Sequence, residues 1–399
     1  MSENVNETVR RRKIHHRGRL SQVRIYLGKQ FRFFINESDW KVLPMAAVIA
    51  ALVGMVIRNR LFVNMEGTLI GAFALTCVAI WNGCFNSIQA VCRERAIIKR
   101  EHRSGMHVSS YVAAHMIYQL FLCVAQTALT VYVLQFLGVK FGEREGLITP
   151  LMIVDIALSM LLISYAADMM SLFISSVSRT TTGAMTVMPF ILIFQLVFSG
   201  GIIPLPEWVR PLSNYTISNY GIRAIAAQSD YNGQEMATGW TTLANMKDAP
   251  IDETVTVGQF LDLMDSPAVE KRRDMEVLGQ AAINAAAGMA GIPEEEVGPV
   301  EEPVKLGEIV DALKKNQWLQ ANRDKSYRIK MTVGEVLELL GEKKVEKIVK
   351  QKTAAAAQKE EYKHTRWNLV DNWAMLALFI VIFAALATLA LEMIDRDRR

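Results

Sequence analysis

His115 and Asp168 each stand inside an apolar run of the sequence, where an ionisable side chain is costly and marks a functional site by default. Both fall in the inner part of their runs, ~10 Å from its end at about 1.5 Å per residue. Two readings are open: an intramembrane His115–Asp168 pair, or an Asp168 that faces interfacial water. A second cluster is Arg93, Glu94, Arg95, Lys99, Arg100 and Glu101. Glu94 and Glu101 share one face of a helix and are placed to pair with Arg or Lys from another element. The plain alternative is a solvated charged turn. Asn82 is a lone polar residue in a further apolar run, suited to lining a cavity or to bonding a neighbouring helix. No apolar run carries His, Asp or Ser in a recognisable catalytic arrangement. Cys77, Cys84, Cys92 and Cys123 lack metal-ligand spacing and read as small buried hydrophobes. No catalytic residue and no metal site are expected.

The elements that must position these residues are membrane spans. The chain has 399 residues, 51% of them hydrophobic, and a mean hydropathy of +0.18. Charge gathers at the N-terminus, near residue 95 and between Asp230 and Arg366. The intervening apolar runs approach the ~20 residues that a helix needs to cross a bilayer. The first forty residues show no signal-peptide pattern. Arg10, Arg11, Arg12, Lys13, Arg17, Arg19 and Arg24 precede the first span, which makes that end cytoplasmic by the positive-inside rule. A basic run also suits nucleic acid, but a span that follows at once favours the membrane surface, and no nucleic-acid partner is expected.

These patterns predict an all-α membrane protein. Residues 1–41 form a cytoplasmic N-terminus with an amphipathic connecting helix, its apolar stripe being Leu20, Val23, Leu27, Phe31 and Phe34. That helix either lies in the headgroup plane or packs against a partner. Residues 42–203 hold five spans, at about 42–57, 69–91, 111–137, 151–175 and 185–198, with a charged segment at 93–101. Asp155 is expected at the outer surface, in contact with water. Glycines and prolines then break the helix, and 204–229 read as a re-entrant segment. Residues 230–366 form a small, mainly helical extracytoplasmic domain, and 367–399 hold the sixth span and a short cytoplasmic tail. The external block contains Thr256-Val257-Gly258-Gln259, Lys305-Leu306-Gly307-Glu308 and Thr332-Val333-Gly334-Glu335. The first and last have capping-box spacing. They are either a repeat or ordinary helix starts of shared chemistry. Residues 291–304 read as a linker.

The order amphipathic helix, five spans, re-entrant segment, external domain, final span resembles the permease half of type-2 ABC exporters, specifically of the G-subfamily. Three patterns carry the resemblance. Residues 85–101, running into Arg93-Glu94-Arg95 and Lys99-Arg100-Glu101, look like the family's second span and first coupling helix. Phe198-Ser199-Gly200-Gly201 is similar to its Phe-Ser-Gly at the end of the fifth span. Ile217-Ser218-Asn219-Tyr220-Gly221 is like the Pro-Arg-Tyr-Gly that follows the re-entrant helices.

The resemblance implies that the amphipathic helix and Arg93, Glu94, Arg95, Lys99, Arg100 and Glu101 couple the spans to an ATPase. It implies a substrate path lined by Leu75, Val78, Asn82, Ile193 and Leu196, and an outer gate at Gly201 and Ile202. It further implies a second permease protomer, identical or not, and contact with membrane lipid. The chain shows no Gly-x-x-x-x-Gly-Lys-Ser/Thr phosphate loop. A separate ABC ATPase subunit is therefore expected to carry ATP and Mg²⁺, with no cofactor bound by this chain. The expected function is ATP-driven export of an amphipathic or lipid-like substrate. The alternatives are a glycolipid or polysaccharide exporter, and a membrane-anchored sensor or scaffold with an extracytoplasmic protein partner. The external block is longer than the family's usual loop and lacks its cysteines. Asn82 stands where the family's multidrug pump has a phenylalanine clamp, which argues against flat aromatic drugs.

Overall fold

The computed structural model describes residues 18–36, 39–139, 141, 145–201, 205–274, 276–277 and 304–393. The basic run before residue 18, Ile202, most of the 291–304 linker and the tail from residue 394 lie outside the described residues. The chain divides into two units, Met1–Gly239 with Ile348–Arg399, and Trp240–Lys347.

The first unit is helical: α1 (Arg19–Asn36), α2 (Val42–Ile57), α3 (Met65–Ser87), α4 (Ala90–Arg103), α5 (Val108–Phe136), α6 (Met152–Val177), α7 (Thr181–Val197), α8 (Ile217–Gln228) and a C-terminal helix, Arg366–Glu392. Among the described residues, five helical stretches are long and apolar enough to cross a membrane: Asp39–Ile57, Met65–Arg103, Val108–Phe136, Met152–Val177 and Arg366–Glu392. The remaining apolar helix, α7, has only 17 residues and contains Pro189. At about 1.5 Å per residue it falls short of a ~30 Å hydrocarbon core. Five stretches thus reach the length of a span, and α7 is a shorter apolar helix beside them.

Local chemistry sets the helix ends. The Asn64 side chain accepts the Gly67 N–H at 2.8 Å and starts α3. The α3–α4 junction is a turn at Ile88–Gln89 whose freed N–H groups are buried. The Ser175 hydroxyl of α6 accepts from Val91 N at 3.1 Å and Cys92 N at 3.2 Å, which satisfies them. Asp155 likewise accepts the Ile148 and Thr149 N–H groups at 3.0 Å each and is fully buried. It pins the α5–α6 loop rather than facing water.

Small residues allow the helices to approach. A Cβ on Gly83 would strike the Ser164 carbonyl oxygen of α6, and one on Gly221 of α8 would lie 2.8 Å from the Thr76 methyl and 2.9 Å from Ile163. The twelve residues of α8 are nearly all buried, against α3, α6 and the C-terminal helix. Polar bonds fix its place. Ser218 donates to the Gln195 carbonyl of α7. Gln228 Nε2 and Trp373 Nε1 both donate to Ser159 Oγ of α6, at 2.5 and 2.7 Å.

The second unit adds strands to the mainly helical domain expected there. Strand β1 (Pro250–Thr256) pairs antiparallel with β4 (Ser326–Thr332), Pro250 opposite Thr332 and Thr256 opposite Ser326. Short strands β2 (Glu276–Val277) and β3 (Val304–Lys305) pair likewise. The three repeated motifs follow strands β1, β3 and β4. Their glycines make one and the same bond: Gly258 N–H to the Arg323 carbonyl, Gly307 to Arg273 and Gly334 to Lys247, each at 2.9 Å. Thr256 and Thr332 form complete capping boxes with Gln259 and Glu335. Lys305 has no side-chain cap to offer. A shared tertiary bond is the mark of a repeat, since unrelated helix starts would have no reason to keep it.

Candidate coupling site and membrane path

The helix α1 is amphipathic, and it turns polar side chains to the protein beside part of its apolar stripe, Phe31 packing edge-on to Tyr118 at 5.6 Å. Gln22 and Gln30 are buried while Leu20 is 87% and Ile35 71% exposed. Gln22, Tyr26, Lys29, Gln30 and Phe33 lie at helical spacing on the inward face. Glu94 Oε2 accepts from Lys29 Nζ at 3.0 Å and from Tyr111 OH at 3.5 Å, and the residue is only 4% exposed. Tyr26 OH donates to Glu101 Oε2 at 3.1 Å. Burial, together with the Glu101 carboxylate, pushes the Tyr26 phenol up and keeps it a donor. Gln22 bridges to the α4–α5 turn, donating to the Gly105 carbonyl at 3.3 Å and accepting from His107 N at 2.9 Å.

On the other side of α4, Arg95 Nη1 donates to the Ser176 and Ser178 carbonyls at 2.9 and 3.0 Å, answering the open C-terminus of α6. Arg93 lies 3.5 Å from Asp39. Arg100 is exposed and Lys99 half-buried. The segment is thus a helix clamped to α1 on one side and to α6 on the other, not a solvated turn.

His115 and Asp168 do not form a pair with each other. His115 Nε2 lies 3.0 Å from Gln30 Nε2 of α1. Asp168 accepts from Ser87 Oγ of α3 and, at 3.6 Å, from the Cys123 thiol of α5. The α5 residue facing Asp168 is Cys123, about two turns or ~12 Å along the helix from His115. Asp168 does not face interfacial water either, being 0% exposed within a Ser87–Cys123–Ser164 cluster.

The residues assigned to a substrate path are not brought to one open surface. Leu75, Val78 and Asn82 are buried within the chain, at 0%, 2% and 6% exposure, whereas Ile193 is 57% exposed. Leu196 is half-buried. The open face of α3 carries Ile70, Trp81 and Phe85 instead. One residue along a helix turns the side chain by about 100°, so Trp81 is open where its neighbour Asn82 is buried. Beside the expected gate, Gly200 lies three residues beyond the end of α7 with φ +67°, a conformation that glycine adopts without strain. A Cβ on Gly201 would lie 2.7 Å from Ile222. Below this break Glu361 accepts from both Arg210 at 3.0 Å and Arg223 at 3.1 Å, beside a cavity of about 450 Å³.

The arrangement is that of a membrane unit with a surface helix tied to a hinge between two apolar helices. Residues 22–228, from the first clamp residue to the end of α8, match the family described as ABC-2 type transporter. The chain is also 30% identical over 159 residues to an ABC transporter ATP-binding/permease protein of Mycobacterium tuberculosis (strain ATCC 25618 / H37Rv), a match covering 38% of this chain and 18% of that protein. The chain thus spans less than a fifth of that relative's length. The family match covers more than half of the sequence, and this integral membrane protein belongs to the ABC-2 type transporter family.

Proposed function

We propose that the chain is the permease subunit of an ATP-driven exporter, built on the G-subfamily plan and working with an ABC ATPase on a separate polypeptide. The carrying observation is the clamp: Lys29 and Tyr26 of α1 on Glu94 and Glu101 of α4, with Arg95 holding α4 to the end of α6. A nucleotide-driven movement reaches the spans only through rigid elements, and this one joins the surface helix to α3, α5 and α6. Both chain ends lie in the cytoplasm on this reading. Residues 204–229 re-enter the membrane from outside, and the 230–366 block is extracytoplasmic. Two protomers place their α3 and α7 faces, bearing Trp81, Phe85 and Ile193, around an apolar path for an amphipathic or lipid-like substrate. Gly200 and Gly201 stand at its outer end.

Co-purification of the full chain from its own membranes tests the assignment. An ABC ATPase is expected in the complex, and its hydrolysis should respond to membrane lipid. Glu94→Gln is expected to leave the subunits associated while reducing that response, because the clamp loses its charge pair. A complex that contains no ATPase under conditions preserving the permease dimer overturns the reading.

A further inference from the structure

Between α1, the α3–α4 turn, α5 and α7 lies a cavity of about 210 Å³ that belongs to no assigned path. Two polar side chains of α5 on its wall, His115 and Gln119, are each 2% exposed and incompletely bonded. His115 uses Nε2 toward Gln30, and its Nδ1 has no partner among the described residues. Gln119 uses its amide nitrogen on the Asn86 carbonyl at 3.5 Å, and its Oε1 has none. An orphaned buried polar atom is costly and calls for a partner. The two atoms belong to residues one turn apart on α5, ~6 Å along its axis.

The remaining wall defines what that partner is. Gln30 and Gln89 add carboxamides, each offering donors and an acceptor without charge. Asn86 is already matched reciprocally to Gln126, at 2.8 and 3.0 Å, and serves as a fixed wall. The cavity's charges, Arg93 and Asp39, lie 3.5 Å apart and offset each other. No net positive charge is left to favour a phosphate. Phe85 and Tyr118 present rings, and Leu122 and Met185 continue the lining as an apolar edge. Phe85 and Met185 are each 37% exposed, so the edge opens outward. Carboxamides and rings around a neutral pocket with an apolar rim fit hydroxyls above an acyl chain.

We propose that this cavity binds the uncharged, hydroxyl-bearing head of a membrane lipid, its hydroxyls lying against the polar side chains of His115, Gln119, Gln30 and Gln89. Such a head also touches Gln30 of α1 and Arg93 of α4, so an occupied site would bridge the clamp to α5. The inference rests on the membrane-permease reading but not on the ATPase.

Native mass spectrometry of the full chain tests it, in a zwitterionic amine-oxide detergent, because maltoside detergents carry sugar heads themselves. The probes are glucosyl-dioleoylglycerol and dioleoyl-phosphatidic acid, which share chains and differ in the head. The wild type is expected to retain the glucosyl lipid in preference to the phosphatidate. Gln119→Leu and His115→Phe should each lower that retention by roughly two- to tenfold, the loss of one hydrogen bond. Trp208→Ala, at an exposed residue outside the cavity wall, should leave it unchanged. Thermal unfolding shows whether each variant remains folded; Gln119→Leu replaces an unsatisfied group by an apolar one of similar shape and is expected to fold. Equal or better retention of phosphatidate overturns the hydroxyl assignment. No lipid retained by the wild type, or retention unchanged in both variants, overturns the site and leaves a water-filled polar cavity. Because binding is read without ATP, failure here leaves the ATPase co-purification result untouched, and failure there leaves this one.

Discussion

In the unit Met1–Gly239 with Ile348–Arg399, helices meet through buried polar side chains and through glycines that let backbones touch. In Trp240–Lys347 they meet through capped turns, a two-stranded ribbon and exposed ion pairs. The first arrangement suits lipid. Acyl chains are as apolar as leucine, so burial of an apolar face discriminates little between neighbours, and hydrogen bonds and close approach decide which helices pack. Ser159 with Gln228 and Trp373, Asp168 with Ser87, and Glu94 with Lys29 are such deciding contacts. The second arrangement suits water. Among the described residues, Val257, Leu261, Val310 and Leu337 are the side chains buried there, a small core whose folding leans on local backbone chemistry. Charged pairs on its surface compete with solvent and contribute little each. Removal of a charge should therefore weigh heavily in one unit and lightly in the other.

The largest effect is expected at Lys29. Lys29→Met leaves the Glu94 carboxylate buried without its cation, and breaking a buried pair costs about 3 kcal/mol or more. The double variant Lys29→Met with Glu94→Met should recover most of that loss, because both charges are gone. Denaturation of the four proteins of this cycle in detergent measures it. A double variant no better than the single one would show that packing of α1, not the charge pair, holds the clamp.

Gly83→Ala comes next. Its Cβ would meet the Ser164 carbonyl of α6 and lie 2.9 Å from Asp168 N, backbone that cannot turn aside. Overpacking of this kind costs about 1–3 kcal/mol. Gly258→Ala is the matching change in the other unit. There the nearest atom, the Arg323 carbonyl oxygen, is 3.3 Å away, and the better helix propensity of alanine offsets much of the crowding. Paired thermal unfolding should give a clear drop in Tm for the first and a near-neutral result for the second.

These contrasts bear on what the sequence made legible. Apolar run length placed the helices well, α2 at 42–57 among them, because a span must satisfy its own backbone and little else satisfies it in lipid. Rotation about each axis was not legible. For α1 the stripe suits the acyl boundary or a partner alike, and hydropathy gives no sign that Gln22 and Gln30 turn to the protein. Depth alone suggested His115 for Asp168, whereas azimuth selects Cys123, whose weak thiol donor gives no signal in a hydropathy pattern. Asn82 and Trp81 differ by one position, enough to exchange an open face for a buried one. Strands β1 and β4 escaped because their pairing joins segments far apart in the chain, while the Thr-x-x-Gln and Thr-x-x-Glu caps that end them are local and were readable.

A smaller effect tests the repeat in the second unit. Thr256→Ala and Thr332→Ala each remove a capping-box oxygen and should cost about 1 kcal/mol of local stability. Equal costs are expected, since both helices follow the paired strands in the same way. Lys305→Thr supplies the cap that the third copy lacks and should stabilise its helix by about 0.5–1 kcal/mol. Hydrogen exchange at the first-turn amides of the helices Val257–Met264, Leu306–Lys315 and Val333–Leu340 reads each change separately. Unequal responses at Thr256 and Thr332 would break the equivalence of the two.

The smallest effect is expected at Asp252 and Arg328. Their bond is bidentate, Arg328 Nε to Oδ1 at 2.6 Å and Nη2 to Oδ2 at 2.7 Å. Its geometry is better than that of Lys29 on Glu94, yet the side chains of Arg328 and Asp252 are 64% and 42% exposed. Water competes for both groups, and salt screens what remains. Asp252→Asn should therefore leave the thermal midpoint of the full chain unresolved from wild type, with any residual shift vanishing in high salt. Should Asp252→Asn instead destabilise the purified transporter complex as strongly as Lys29→Met does, while the chain alone stays unaffected, the pair is covered by another subunit in the assembly. The charged ribbon of the second unit would then be an interface rather than a solvated surface, and the contrast between the two units would hold for the isolated chain only.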